Sequence, residues 1–250
     1  MPQPATPTEE ERRAARALSP LGPDFGRGAG PVTEYLAEEL ALVWAEFTKK
    51  LDATPIVSRV TDGTVTVEDY KELLLNLRQQ VMEGGRWIAL AASSMSIELF
   101  PVRSLLIRHS AEEHMDYQMI ERDYCSLGGT LEEMNAQPKN IGSEAFNAFM
   151  FFQAAKPDPL DLFGAMFIIE GLGSSRAAGW AKEIRGTLNL SEEQVSFLAY
   201  HGENDEGHYD KLRMILGHPL IDMELAKRLV RTAKIVGRLY VLQLEELGNV

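Results

Sequence analysis

The sequence predicts an all-α protein, a single bundle of about seven helices preceded by a flexible tail. Three observations carry this. Apolar residues recur at helical spacing almost throughout from residue 32 onward. Helix start and stop signals punctuate the pattern. Strand-period alternation is absent apart from a doubtful stretch at 57–66.

Residues 1–30 hold Pro2, Pro4, Pro7, Pro20 and Pro23, with Gly22, Gly26, Gly28 and Gly30 among them. Such a segment buries too little apolar surface to offset its ordering entropy, so a tail is expected, with room for one short helix at 9–18. The domain is expected to span 31–250. Its first helix covers 33–51, with Leu36, Leu40, Val43, Trp44 and Phe47 on one face. Pro55 and Gly63 mark a loop. Thr66 with Asp69 three residues on has the form of a capping box and opens a second helix running to residue 94. Gly84 and Gly85 inside it mark a kink or a close approach. A third helix covers 101–127 and stops at Gly128 and Gly129. A fourth starts near Ser143 and is broken by Pro157 and Pro159; a fifth runs over 158–185. Ser191 with Gln194 is a second capping box, opening a sixth helix that ends near Gly217. Pro219 or Asp222 opens a seventh, reaching residue 247.

Composition narrows the function. Hydrophobic residues make up 45% of the 250, enough for a full core. The net charge of -12 argues against nucleic acid or an anionic membrane as partner. No apolar run is long enough for a membrane span, and no secretory signal is evident, so a cytoplasmic protein is expected. A lone cysteine, Cys125, excludes a disulfide framework and cysteine-based zinc or iron–sulfur sites. The expected partner is a small molecule, and a homodimer is compatible with an acidic helical bundle of this size.

Histidines and carboxylates then single out three helices. His201, Asp205 and His208 are spaced four and three apart, so one helix face carries all three. Leu198, Leu212 and Ile215 continue that face, which therefore points inward. Burying two imidazoles and a carboxylate without strong partners costs several kcal/mol. A metal ion or a mutual hydrogen-bond network relieves that cost, and the donor types favour the metal. Glu170 sits in an apolar run, on a face with Phe163, Phe167, Ser174 and Ala177, and needs a buried partner: a metal, or a salt bridge for which Arg176 is a candidate. On the third helix the inward face runs through Leu106, Glu113 and Ile120. His109 and Asp116 fall within roughly 60° of Glu113, and His114 about 100° away, toward the rim. Mixed nitrogen and oxygen donors inside a helical bundle suit non-haem iron or manganese, often as pairs; calcium prefers oxygen alone. Arg86 and Arg176 are candidate holders of a substrate carboxylate, each with an ordinary salt bridge as the alternative. Glu83 is a further candidate metal ligand, from the second helix.

At these residues the sequence resembles the heme-oxygenase-like diiron oxidases and oxygenases, over about 32–250. His201, Asp205 and His208 look like that group's late His, Asp, His helix, and Glu170 like its mid-chain glutamate. Glu112 and Glu113, followed by Asp123, Leu127 and Gly128, are similar to its acidic helix. There is one departure: Asp116 stands where the group commonly has a histidine. Either Asp116 replaces that ligand, or His109 or His114 takes over from a shifted position. The resemblance implies two Fe(II) per chain, O2 as co-substrate, and oxidation of a small amino-acid or fatty-acid derivative by N-oxygenation, desaturation or C–C cleavage, with an external electron donor left open. Rival readings are a cofactor-free oxidase of the quinone-synthase type and a non-catalytic ligand-binding member of the fold. Heme oxygenase proper would need a histidine on the first helix, and none precedes His109. Thiaminase-like chemistry would rest on Cys125 alone. A ferritin-like bundle would need two Glu-x2-His motifs, which the chain lacks.

Overall fold

A computed structural model describes residues 6–248, with the side chains of 203–208 outside the description. Among the described residues every regular element is helical. In chain order the helices are α1 (Glu9–Leu18), α2 (Pro31–Asp52), α3 (Pro55–Thr61), α4 (Val67–Ser94), α5 (Phe100–Glu113) and α6 (Tyr117–Ser126). There follow α7 (Leu131–Ala136), α8 (Ile141–Ala154), α9 (Phe163–Leu172), α10 (Ala178–Leu188), α11 (Ser196–Leu216) and α12 (Met223–Glu245).

The expected rods are present, cut into more pieces than seven. Both capping boxes form: Thr66 opens α4, and Ser191 opens a short 3-10 turn that leads into α11. Asp222 caps α12, its carboxylate accepting from the Leu225 N–H at 2.7 Å. The chain stops after α6 with Gly128 at φ +82°, in the left-handed region that favours glycine. The doubtful strand at 57–66 is instead largely α3, started by Pro55 at its first position.

Three departures matter for the site. The expected helix 101–127 is interrupted at His114–Asp116, although His114 and Asp116 keep right-handed helical dihedrals. The expected helix 158–185 contains a π-helical segment, Gly173–Ala177, one residue past the end of α9. Such wider turns shift the register of all that follows and recur at functional sites. The third lies in the expected tail, where a helix fills the 9–18 segment for which the sequence left room and packs on the bundle. A capping box at Thr8 starts α1, which packs on α2, and Ala15 and Leu21 are buried. Arg12 reaches Glu38 and Glu39 at 3.4 and 3.3 Å. The proline and glycine content concealed these few anchors, which are enough to seat the segment.

α12 is the central support, packing against α2, α8 and α9; α4 packs against α5, α6 and α8. Tyr70, Phe146 and Phe167 are fully buried, and Trp44, Phe47 and Tyr240 form edge-on and tilted ring contacts through the core. Gly85 settles the choice between kink and close approach: a Cβ there would lie 3.1 Å from the His114 Cα and the Ser110 carbonyl of α5. Ser110 closes the contact by donating its hydroxyl to the Gly85 carbonyl at 2.7 Å. No single helix among the described residues is long and apolar enough to cross a membrane.

Candidate metal centre

Three helical stretches deliver acids and imidazoles to one point. α5 supplies His109 and Glu113, and the break after it supplies Asp116. α9 supplies Glu170 in its last turn, and α11 supplies His201 near its start. His109, Glu113 and Glu170 bring one potential ligand atom each within 4.8 Å of one another, and Glu113, Asp116 and His201 do the same. Glu113 belongs to both sets. It is the inward-facing residue of α5, flanked by the two sets as a carboxylate that bridges two cations would be.

The contacts of each imidazole specify its protonation. His201 Nδ1 lies 2.9 Å from the Phe197 carbonyl one turn earlier, so it must be the protonated nitrogen. Its Nε2 then faces the Asp116 carboxylate at 3.3 Å. A neutral ring would aim a lone pair at an anion there. A proton on either partner, or a cation held between the two, makes that facing pair favourable. His109 differs: its Nε2 is within hydrogen-bond distance of Glu170 Oε1, at 3.1 Å, while its Nδ1 is 3.9 Å from the Glu112 carboxylate, too far for a hydrogen bond. His201, oriented by an outer acceptor and aimed at a carboxylate, has the usual support of a metal-bound histidine.

Electrostatics point the same way. Burial and the charge of Glu170 push Glu113 up to about 7, with Asp116 adding to the rise and His109 and His201 opposing it. Three carboxylates close together in a partly dry site repel one another until a proton or a cation neutralises them. Nitrogen and carboxylate oxygen in this mixture fit iron or manganese, so the residues present fit the implied metal. Asp205 and His208, the rest of the expected late triad, lie outside the described residues.

Of the residues left open by sequence, Asp116 meets His201 and His109 meets Glu170, while His114 is exposed. Arg176 does not pair with Glu170; it binds Asp52 on the surface at 3.0 Å. Arg86 is exposed, bound to Glu83 and stacked 5.4 Å from the Phe151 ring. Glu83 is held by Arg86 and Lys139, away from the cluster. Neither arginine lines the cavity described next, so the expectation that they hold substrate is corrected: each forms the ordinary salt bridge. Phe152 is exposed beside Lys156.

Glu113, Glu170 and His201 line a partly open cavity of about 110 Å³. Leu77 and Trp87 of α4, Tyr240 of α12, and Gly173, Ala177 and Trp180 from the π segment and α10 wall the rest, with Gln80 among its few polar groups. These wall residues were not legible as site residues, because large apolar side chains at helical spacing look alike in any core.

Asp123 has a different task from its acidic neighbours. It is fully buried, accepts from the Ser196 hydroxyl at 2.6 Å and from the Phe197 N–H at 3.0 Å, and so clamps the start of α11 onto α6. Burial raises its carboxyl above the usual range, and the Ser196 and Phe197 bonds oppose that rise. Gly202 lets α11 approach the other side: a Cβ there would lie 2.5 Å from Ala178. The position of His201 is fixed from both flanks.

The sequence profile of a family described as iron-containing redox enzymes matches residues 72–241, a span that contains every candidate ligand. No curated protein matches the chain. Among solved structures, a domain of unknown function with a heme oxygenase-like fold from Shewanella denitrificans is similar at TM-score 0.75 and 19% identity, covering 82% of this chain and 88% of that one. A TenA homologue from P. horikoshii is similar at 0.71 and 17%, covering 85% and 97%. A heme oxygenase-1 from the cyanobacterium Synechocystis, in complex with heme, is similar at 0.63 and 17%, covering 86% and 93%. At these identities the likeness establishes the fold.

Proposed function

The chain belongs to the family of iron-containing redox enzymes, and from that premise we propose that it is a non-haem iron oxidoreductase, with two Fe(II) per chain, that uses O2 to oxidise a small organic substrate. The observation that carries this reading is the position of Glu113 in two ligand sets at once. His109 and Glu170 complete one set, Asp116 and His201 the other, and Asp205 and His208 are proposed to add to them.

Bound iron would supply the electrons for O2 reduction that none of the side chains here can supply. The chain's own contribution is binding, orientation and exclusion of water. His201 keeps its proton on Nδ1, donated to the Phe197 carbonyl, which leaves Nε2 as the donor atom. Glu113, raised to about 7, holds a proton that metal binding would displace. Trp87, Trp180, Tyr240 and Leu77 close the cavity around Glu113, Glu170 and His201. A dry, mainly apolar wall favours a substrate whose reacting end is uncharged, and it protects reactive species from water. With Arg86 and Arg176 outside the cavity, recognition of substrate there rests on shape and on Gln80.

Anaerobic loading with Fe(II), followed by O2 exposure, tests the proposal. The expected result is O2 consumption and an absorption change that scale with bound iron, and that are lost in Glu170→Ala and His201→Ala. An iron-loaded, folded chain that consumes no O2 above free iron would overturn it.

A further inference from the structure

α8 carries apolar side chains on the face it turns away from the bundle. From Ile141 to Ala154 it contains a single charged residue, Glu144. Phe146 and Met150 fill its inner face, where it packs on α4 and α12. On the outer face Ile141 is 64% exposed and Phe152 65%; between them Ala148 is exposed and Ala145 half-buried. A helix that is apolar all round is ordinarily covered on every side. The order of the four residues is palindromic. Ile141, Ala145, Ala148 and Phe152 are spaced four, three and four apart, so they form one stripe, small side chains in the middle and large ones at the ends. Laid antiparallel on a copy of itself, the stripe sets Ala145 against Ala148 and Ile141 against Phe152, each twice over. The alanines let the two axes approach to about 8 Å, and the large pair at each end closes the contact.

Charge fits the same register. Glu144 is exposed and flanks the stripe on the side of Phe151, and Arg86 of α4, also exposed, stacks on the Phe151 ring at 5.4 Å. A two-fold axis brings the same flank of both helices together. It sets Glu144 beside Phe151 of the second copy, within reach of that copy's Arg86. The outer face of α5 is also apolar, with Phe100 and Ile107 exposed, but the corresponding antiparallel pairing there opposes Arg103 to Arg108, and like charges in such a contact are costly. From this complementarity we propose that the outer face of α8 binds a second copy of the chain, in an antiparallel two-fold α8–α8 contact with Arg86–Glu144 ion pairs across it. The proposal does not rest on the metal reading.

Sedimentation equilibrium of the full-length chain tests it. The parent is expected to be dimeric at about 100 μM. Phe152→Glu and Ala148→Glu should each raise the dissociation constant at least about tenfold, since every substitution acts twice across the axis. Phe100→Glu, on the outer face of α5, should leave it unchanged. All three positions are exposed, so the variants should fold, which circular dichroism checks. Arg86→Glu and Glu144→Arg should each weaken association about threefold, and the double variant should recover toward the parent, because the swap restores the ion pair. A parent chain that stays monomeric would overturn the proposal and leave the face to a different protein. A dimer that Phe152→Glu does not weaken, or that Phe100→Glu dissociates, would overturn it by placing the contact elsewhere. A double variant that fails to recover would overturn the antiparallel register.

Discussion

His201 and Asp116 face each other at 3.3 Å across the meeting of α11 with the α5–α6 break, while the other nitrogen of His201 is committed to the Phe197 carbonyl. A neutral imidazole cannot satisfy both contacts while the carboxylate is ionised. The pair therefore needs a proton shared between Nε2 and the carboxylate, or a metal ion between them.

Replacing His201 by Ala should weaken Fe(II) binding by more than the about 10–100-fold that loss of an outer-shell partner costs. Asp116→Asn should also weaken it, because the amide loses the anionic donor while keeping the shape. Anaerobic competition against a chromogenic chelator measures both. Unchanged affinity in Asp116→Asn would remove that residue from the ligand set.

The pH dependence of the metal-free chain follows from Glu113. Its carboxyl titrates near 4.5 when unperturbed and is pushed up to about 7 in the fold, so the folded chain holds this proton more tightly than the unfolded one. The resulting stabilisation is complete below 4.5 and is lost as pH rises to about 7. The urea midpoint in the presence of chelator should fall across that window, and Glu113→Gln should flatten the fall. Fe(II) should oppose the fall most strongly at its upper end, where metal no longer competes with the proton. A midpoint that rises over the same window would contradict the assignment.

Asp123→Ala should cost about 2–3 kcal/mol, because it strands the Ser196 hydroxyl and the Phe197 N–H and frees the start of α11. Iron affinity should fall as well, since the Phe197 carbonyl that orients His201 lies in the released turn. Chemical denaturation and chelator competition on one preparation check both effects. A loss of stability with intact iron affinity would confine Asp123 to the fold.

Gly85→Val should cost about 1–3 kcal/mol by forcing α4 away from α5, where a Cβ already lies 3.1 Å from His114 and Ser110. Gly85→Ala should come close to neutral, because the gain in helix propensity offsets a small displacement. Thermal unfolding of the two variants separates the effects; equal Tm values would show that the helices tolerate the larger group.

Much of this arrangement is legible in the sequence because its signals are local. The capping boxes at Thr66 and Ser191 and the cap at Asp222 are set by residues three apart, and all form as expected. The inward position of Glu113 follows from its place between Leu106 and Ile120 on one helical stripe. What the sequence conceals depends on how helices cross. Glu170 reaches His109 across from α5, while Arg176, in the π segment, reaches Asp52. The ordered segment before α2 rests on Ala15, Leu21 and two arginines, too sparse a signal to outweigh its prolines and glycines.

Equilibrium Fe(II) titration of the parent chain beside Glu113→Ala asks whether Glu113 serves two cations at once. Two irons per chain are expected in the parent, and the affinity of both should fall in the variant while the chain remains folded. A parent that binds one iron or none, or a variant that loses a single iron and keeps the other at parental affinity, would contradict it.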